Sequence, residues 1–245
     1  MESAEKRIEK EGIVLSSVKY GDNGVVVSVL TRDEGRKAFM ASATSGKRGG
    51  GGRMAMLLPL SLIGFVPSGG RGGRMGRMSQ TRLRHPAVRL QTDPVRRAVA
   101  MFMAELLYRS TPEEVPDPEL FEFADEAVRQ LDSDMEGAYN FHLWLMMHLA
   151  DYLGIGPERE RGACSIFDLE AGTWVASLPP HAHTVDGRMA DLWERLECAE
   201  ASELAAIGMN RTERQELIEL MSTYYRLHLP SFGQLKSVAV LAMLN

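Results

Sequence analysis

The chain has 245 residues, of which 44% are hydrophobic, and it carries a formal net charge of −5. This length favours two domains over one, and two cysteines, Cys164 and Cys198, are too few for a disulfide framework. The charged N-terminus lacks the apolar core of a signal peptide, and no apolar run approaches the roughly 20 residues that span a bilayer. We therefore expect a cytoplasmic protein with reduced thiols and no membrane segment.

The charge is divided between two parts of the chain. Residues 1–97 contain 18 Lys and Arg against 8 Asp and Glu, a net of +10, whereas residues 98–245 contain 10 against 25, a net of −15. Neutralising a polyanion such as nucleic acid requires clustered cations. The division predicts a polyanion-binding N-terminal module joined to a module with a different task.

The basic part has the pattern of a β domain. Strand-length segments rich in β-branched and apolar residues alternate with turn sequences such as 21–24 and 33–35. Short strands without a helical period between them predict a small closed five-stranded barrel of the OB type. Tyr20, Phe39 and Phe65 stand at strand positions and are expected in its core. The predicted strands are 13–20, 25–31, 36–43, 57–66 and 75–83.

Two glycine-rich basic segments, 46–53 and 69–77, interrupt the β pattern. Neither has the G-x-x-x-x-G-K-[ST] spacing of a nucleotide-binding loop, because glycines follow Gly46-Lys47-Arg48. Arginine beside glycine can contact phosphates and stack on unpaired bases. The segments favour contact with a nucleic-acid backbone without sequence readout, and the alternative is that they are merely solvated loops.

The acidic part has the pattern of a helical domain, so the fold class is α+β. From about Thr92 apolar residues recur at helical spacing, with Asp93-Pro94 as cap and first turn. An irregular stretch, 162–186, contains candidate short strands at 166–169 and 173–175. The predicted helices are 94–107, 118–131, 138–153, 189–198, 211–228 and 234–244.

The sequence gives little support to catalysis or metal binding. Cys164, His181, His183 and Cys198 are candidate zinc ligands, but no C-x-x-C pair accompanies them, so no metal or cofactor is assigned. The sequence has no G-x-S-x-G, no H-E-x-x-H and no convincing pair of carboxylates, and no catalytic residue is assigned. The enzyme alternative depends on one polar group, which comprises Asp168, His181, His183 and Asp186.

Several segments in order along the chain resemble the RecO family of bacterial recombination mediators. They are Glu11-Gly12-Ile13-Val14-Leu15, Tyr20-Gly21-Asp22, Val29-Leu30-Thr31, Gly35-Arg36-Lys37, 56–62, 103–108, Asn140-Phe141-His142, Tyr152-Leu153-Gly154, 224–228 and Leu235-Lys236-Ser237.

The resemblance implies an OB-fold over 1–88 and a helical domain over 89–245, with an irregular insertion around 162–186. It implies binding to single- and double-stranded DNA and annealing of complementary strands in recombinational repair. The implied partners are RecR and the C-terminal tail of single-strand-binding protein, with RecF and RecA as further candidates. In this role the chain helps RecA to replace single-strand-binding protein on the DNA. Some members carry a four-cysteine zinc element in the insertion, where this chain has only Cys164, so we expect the element without its metal.

The candidate sites follow from charge and from the resemblance. An acidic apolar tail requires a basic and hydrophobic pocket, for which Arg226, Phe232 and Lys236 are candidates, and the alternative is that the two cations neutralise nearby carboxylates. A second function compatible with the charge is an adaptor whose basic half binds RNA or an acidic protein. We expect a non-enzymatic monomer associated with the nucleoid. The candidate DNA-binding residues are Arg32, Arg36, Lys37, Lys47, Arg48, Arg53, Arg71, Arg74, Arg77, Arg82 and Arg84.

Overall fold

The computed structural model describes residues 8–22, 24–42, 54–69 and 75–242. It confirms the predicted α+β class, with a closed five-stranded barrel in the N-terminal part and a mainly helical C-terminal part. Packing divides the chain into two compact units, here called the barrel unit (1–88 and 111–129) and the helical unit (89–110 and 130–245). Among the described helices, none is both long and apolar enough to cross a bilayer.

The barrel closes in the strand order β1-β2-β3-β5-β4. Neighbouring strands are antiparallel except β3 and β5, which run parallel. Apolar side chains on the inward side, including Val27, Phe39 and Phe65, form the core. The strands are β1 (Lys10–Tyr20), β2 (Gly24–Thr31), β3 (Gly35–Ser42), β4 (Leu62–Ser68) and β5 (Gly76–Leu83).

The fourth strand begins later than predicted. Leu57 and Leu60 are buried but lie in turns before β4. The Leu60 N–H donates to the Val14 carbonyl at 2.7 Å, and Leu60 has a φ of 61°, which a strand excludes. The apolar run at 57–61 therefore reflects burial rather than strand pairing.

Segment 111–115 lies along the start of β3. Strand β5 pairs only with the second half of β3, so the first half has an open edge. There the Glu114 N–H donates to the Arg36 carbonyl at 3.0 Å. Gly35 permits this approach, because its φ is +68° and a Cβ at that position would overlap the backbone of Val115.

Five of the predicted helices are confirmed with small changes at their ends, and the sixth, 234–244, shortens to four residues. The start of the third becomes a 3₁₀ turn, Ala138–Asn140, and a second such turn covers Ala201–Ala206. A short helix after the barrel was not predicted. The described helices are α1 (Val88–Thr92), α2 (Pro94–Ser110), α3 (Pro118–Asp132), α4 (Phe141–Tyr152), α5 (Gly187–Cys198), α6 (Arg211–His228) and α7 (Val238–Leu241).

Apolar faces and buried hydrogen bonds hold the helical unit together. Helix α2 begins as predicted, because the Asp93 carboxylate accepts the Val95 N–H at 2.8 Å. Phe102 on the apolar face of α2 is fully buried. Between α6 and α4, the buried Tyr225 hydroxyl donates to the Met146 carbonyl at 2.7 Å.

A small sheet occupies the irregular insertion. Its strand order is β7-β6-β8, and both pairings are antiparallel. The two candidate strands are confirmed, and β8 is additional. The strands are β6 (Ile166–Asp168), β7 (Thr173–Val175) and β8 (Thr184–Val185).

Candidate nucleic-acid interface

Four of the described barrel cations predicted to contact DNA face carboxylates of segment 111–125. This segment belongs to the acidic part of the sequence but packs within the barrel unit. A cation that already faces a carboxylate attracts a phosphate less strongly, because the carboxylate repels the phosphate. The pairs, with their N–O distances, are Arg32–Glu122 (2.8 Å), Arg36–Glu113 (3.0 Å), Lys37–Glu114 (3.5 Å) and Arg84–Asp125 (2.6 Å).

Two of these cations are also largely withdrawn from solvent. The Arg36 side chain is 13% exposed, and its Nε donates to the Thr111 carbonyl at 3.0 Å. The Arg84 side chain is 18% exposed and lies 3.0 Å from the Glu11 carboxylate as well. These contacts tie segment 111–125 to the barrel, so both arginines stabilise the unit itself.

At the other end of β3, a row of outward side chains crosses the barrel. The registers place Val18 opposite Val26, Val26 opposite Met40, and Met40 opposite Arg77. Directly paired residues point to the same side of a sheet, so these four side chains form one row, here called the Val18–Arg77 row. Arg77 is exposed and has no ion pair with any residue that the structure describes.

An exposed tyrosine adjoins this row. Tyr20 lies two residues beyond Val18 on the same side of β1, and its partner across the pair is Gly24, which has no side chain to cover it. Tyr20 is 65% exposed, so the prediction that it lies in the core is wrong. The same prediction is confirmed for Phe39 and Phe65, whose ring centroids are 5.0 Å apart in the core. The row and the adjoining Tyr20 thus combine a cation with an aromatic face that could stack on a base.

The last described residues before the two glycine-rich basic segments lie beside this row. Ser42, the last residue of β3, lies two residues beyond Met40, and Ser68, near the start of the second segment, pairs with Arg77. The row is therefore close in register to the last described residues before each segment. Five candidate DNA-binding residues lie in these segments outside the described residues, namely Lys47, Arg48, Arg53, Arg71 and Arg74.

Arg82 on β5 is a paired cation that is more exposed than the four described above. Its side chain is 62% exposed and lies 2.7 Å from the Glu9 carboxylate. This hydrogen bond and the charge of Glu9 raise the pKa of Arg82. The residue remains a candidate contact on an exposed strand.

The candidate partner-binding residues of the helical unit differ in exposure. Phe232 is fully buried against Tyr225, with ring centroids 4.9 Å apart, so its ring packs in the core and is not at the surface. Arg226 is exposed and donates to the Thr223 hydroxyl at 2.8 Å. Lys236 is also exposed, although its backbone N–H donates to the Glu105 carboxylate at 3.0 Å. A role for Arg226 and Lys236 in partner binding stays a prediction.

A basic and apolar pocket lies elsewhere in the helical unit, at the start of α6. Its cavity of about 40 Å³ is lined by Arg211 and Arg214, by apolar residues including Ile218 and Leu241, and by no carboxylate among the described lining residues. Burial and, secondarily, the charge of Arg214 lower the pKa of the lining residue His142 to about 3, so His142 is neutral near pH 7. Sequence reasoning missed this pocket, and the signal was an Arg-x-x-Arg pair in the first turn of a helix.

Two family models together match most of the chain. The one described as Recombination protein O N terminal matches residues 5–87, and the one described as Recombination protein O C terminal matches residues 91–238. The chain belongs to the RecO family. The resemblance inferred from scattered sequence segments is thereby confirmed.

Individual RecO proteins are similar over almost their whole length. The DNA repair protein RecO of Phocaeicola vulgatus and that of Bacteroides fragilis are each 32% identical over 232 residues, which cover 94% of this chain and 95% and 96% of theirs. The protein of the same name from Christiangramia forsetii is 28% identical over 234 residues, covering 96% of this chain and 97% of its own.

Two groups of residues were considered from the sequence, one of candidate zinc ligands and one of candidate catalytic residues. In the insertion of this RecO-family chain, the structure brings only some members of each group together. Cys164 is half-buried and Cys198 is exposed, and neither belongs to the single metal-ligating cluster found in the described part of the chain. His181 Nε2 lies 3.4 Å from an Asp168 oxygen. Asp186 instead stands at the N-cap of α5.

Proposed function

We propose that this RecO-family chain is a DNA-binding recombination mediator in DNA repair. It anneals complementary single strands and helps to replace single-strand-binding protein by RecA, on nucleoid DNA in the cytoplasm and without an enzymatic step. Family membership supports the role in repair, because the similar proteins are named DNA repair protein RecO. The exposed Val18–Arg77 row, adjoining Tyr20, is the observation that carries the DNA-binding part.

Annealing requires physical properties that this surface has. Two phosphate backbones must approach each other, so cations must reduce their repulsion while the bases stay free to pair. Arg77 and the basic residues of the glycine-rich segments supply positive charge without reading base edges. Tyr20 supplies a face on which an unpaired base can stack, an interaction that tolerates every base.

In this proposal the two halves of the chain divide the work. The OB-fold over 1–88 binds DNA, and the helical domain over 89–245 binds RecR and single-strand-binding protein, with RecF and RecA as further partners. The acidic character of the helical half supports this division, since excess carboxylate repels DNA. The protein acts as a monomer.

We place the tail of single-strand-binding protein in the pocket at the start of α6. Arg214 lies over the Tyr139 ring, with 5.2 Å from the guanidinium carbon to the ring centroid, which holds the cation at the pocket wall. Arg211 donates to the Ala242 carbonyl on the same wall. Two guanidinium groups beside an apolar cavity suit a peptide that carries both carboxylates and a hydrophobic side chain.

The central experiment is annealing of complementary oligonucleotides coated with cognate single-strand-binding protein, over a series of salt concentrations. Wild type should anneal them, and both high salt and the double change Tyr20→Ala with Arg77→Ala should suppress the reaction. The matched control is Arg32→Ala, which removes an exposed but paired cation of the same unit. DNA binding without annealing would favour the adaptor function. Tighter binding of RNA than of DNA of equal length would favour RNA as the ligand of that adaptor. No DNA binding at low salt would refute the proposal.

The partner site is tested separately with a synthetic peptide of the tail. Arg214→Ala should weaken peptide binding, whereas Lys236→Ala should not. The opposite result would return the site to Arg226 and Lys236. Neither result depends on DNA binding, so the two halves of the proposal can fail independently.

A further inference from the structure

A cluster of nitrogen and oxygen ligand atoms lies on the small sheet of the helical unit. One ligand atom from each of Glu170, His181 and His183 lies within 4.8 Å of the other two. His183 Nδ1 is 2.9 Å from Glu170 Oε1, and His181 Nδ1 is 3.6 Å from the same oxygen. Two imidazoles and one carboxylate therefore place their ligand atoms close enough together to bind one ion.

The sheet positions two of these ligands. Strands β6 and β8 pair Asp168 with Thr184, and the Leu169 N–H donates to the His183 carbonyl at 3.0 Å. These bonds place the start of the β6–β7 turn, which carries Glu170, beside the residue that precedes β8. The Gly172 N–H donates to the Asp168 carbonyl at 2.8 Å and closes the turn. The backbone thus brings Glu170 and His183 together.

The third ligand, His181, lies near Glu170 without forming a hydrogen bond to it. Its Nδ1 is shielded from water and has no hydrogen-bond partner among the described residues. Its other ring nitrogen, Nε2, faces the Asp168 carboxylate at 3.4 Å. A metal-bound histidine characteristically has this arrangement, with one nitrogen on the ion and the other N–H directed at a carboxylate that fixes the tautomer and the ring orientation.

We propose that Glu170, His181 and His183 bind a Zn²⁺ ion, with Asp168 orienting His181. Two imidazole nitrogens and one carboxylate oxygen form a known zinc ligand set, and a water molecule completes the tetrahedron. The separations require only small side-chain movements to reach metal–ligand distances of about 2.0 to 2.2 Å. This donor set shares no ligand with the four-cysteine element that the family resemblance implied.

The bound ion would join two parts of the insertion. Glu170 lies in the β6–β7 turn, and His181 lies in the connection that leads to β8. An ion that binds the folded state and not the unfolded chain stabilises the fold in proportion to the logarithm of its free concentration. We therefore expect the bound ion to stabilise the insertion.

The test is calorimetric titration of ZnCl₂ into the chelator-treated full chain. We expect one ion per chain, with binding lost in His181→Ala and His183→Gln and weakened by about 10- to 100-fold in Asp168→Asn. His183 is 47% exposed, so His183→Gln should keep the metal-free melting temperature of wild type while losing its increase with Zn²⁺. The control variant Cys164→Ser with Cys198→Ser should bind as wild type does.

Two results would overturn this site. The first is that the wild-type chain binds no Zn²⁺. The second is that Zn²⁺ binding persists in His183→Gln but is lost in the variant Cys164→Ser with Cys198→Ser. Neither result affects the proposed DNA binding, which involves only the barrel unit.

Discussion

The two ends of strand β3 present cations in opposite surroundings. At its start, Arg36 and Lys37 face carboxylates of segment 111–115. Near its other end, Met40 is followed across the sheet by Arg77, which has no carboxylate partner among the described residues. The sequence shows both groups as part of one basic block. A count of cations therefore overstates the surface available to a phosphate, because the partner of each cation decides its availability.

The acidic segment explains this difference. Residues 111–129 contain seven Asp and Glu and one Arg, and they pack within the barrel unit. A phosphate approaching Arg32 or Arg84 must compete with a carboxylate already in place, whereas one approaching Arg77 need not. Paired cations thus hold the unit together, and in our proposal the unpaired cations contact DNA.

The largest effect should come from the most buried of these carboxylates. Asp125 accepts from Arg84 at 2.6 Å and from Arg129 at 2.7 Å. Asp125→Asn removes the negative charge between two guanidinium groups and should lower the free energy of unfolding by about 3 kcal/mol. Urea denaturation measures this free energy. The control is Glu122→Gln, at the exposed pair with Arg32, where the free energy of unfolding should fall by less than about 1 kcal/mol. Equal losses in the two variants would contradict the distinction.

The attachment of segment 111–115 can be broken at the backbone. Gly35→Ala should destabilise the protein by about 2 kcal/mol more than Gly21→Ala. Both glycines have a positive φ, so both variants incur the left-handed penalty of about 1 to 2 kcal/mol, but only at Gly35 would the Cβ overlap Val115. Thermal unfolding of the pair isolates the contact. No difference between them would show that the segment does not depend on Gly35.

The helical unit contains the converse case, a buried carboxylate without a partner. Glu197 is 1% exposed, and neither oxygen has a hydrogen-bond partner in the described structure. Burial raises the pKa of Glu197 to about 8, so the folded state retains a proton that the unfolded state has already released. Stability should therefore decline as pH rises from about 4.5 to 8.

Substitution tests this carboxylate directly. In urea unfolding, the free energy of unfolding of Glu197→Gln should exceed that of wild type by about 1 to 2 kcal/mol at high pH. The difference should be smaller near pH 5. A constant difference across this range would show that Glu197 does not titrate as its surroundings imply.

DNA affinity should separate the two groups of cations. Arg77→Ala should weaken binding of a single-stranded oligonucleotide by up to about tenfold and reduce the slope of log affinity against log salt by about 0.7. Arg32→Ala, the exposed but paired control, should change both much less. Fluorescence anisotropy at several salt concentrations measures both quantities. Equal effects would remove the distinction between paired and free cations.

Local patterns in the sequence predicted most of the fold. Strand-length segments rich in β-branched and apolar residues, separated by turn sequences, located the barrel strands, and apolar residues at helical spacing located α2 through α6. The patterns failed where burial occurs without regular structure, as at Leu57 and Leu60. They also failed at α7, where the Lys236 and Ser237 N–H groups donate to the Glu105 carboxylate instead of forming a longer helix.

The candidate site was less predictable, because it depends on contacts distant in sequence. Residue type identified Arg77 but could not distinguish it from Arg36, whose partner Glu113 lies 77 residues away. Tyr20 was assigned to the core since aromatic residues in strands usually fill one, but it is exposed in the structure, where it pairs with Gly24. Pairing across long separations is the information that a single sequence lacks.

The smallest expected effect is also the sharpest test of that pairing. Glu122→Gln leaves the barrel strands unchanged and frees Arg32, whose side chain is already 48% exposed. If carboxylates of the acidic segment withhold cations from DNA, oligonucleotide affinity should rise by about twofold, within the modest energy of an exposed ion pair. Glu126→Gln, also exposed on α3 but in no described ion pair, should raise it less, since it only reduces the overall negative charge. Equal gains would assign the effect to net charge, whereas a larger gain at Glu122 would show that the local partner matters.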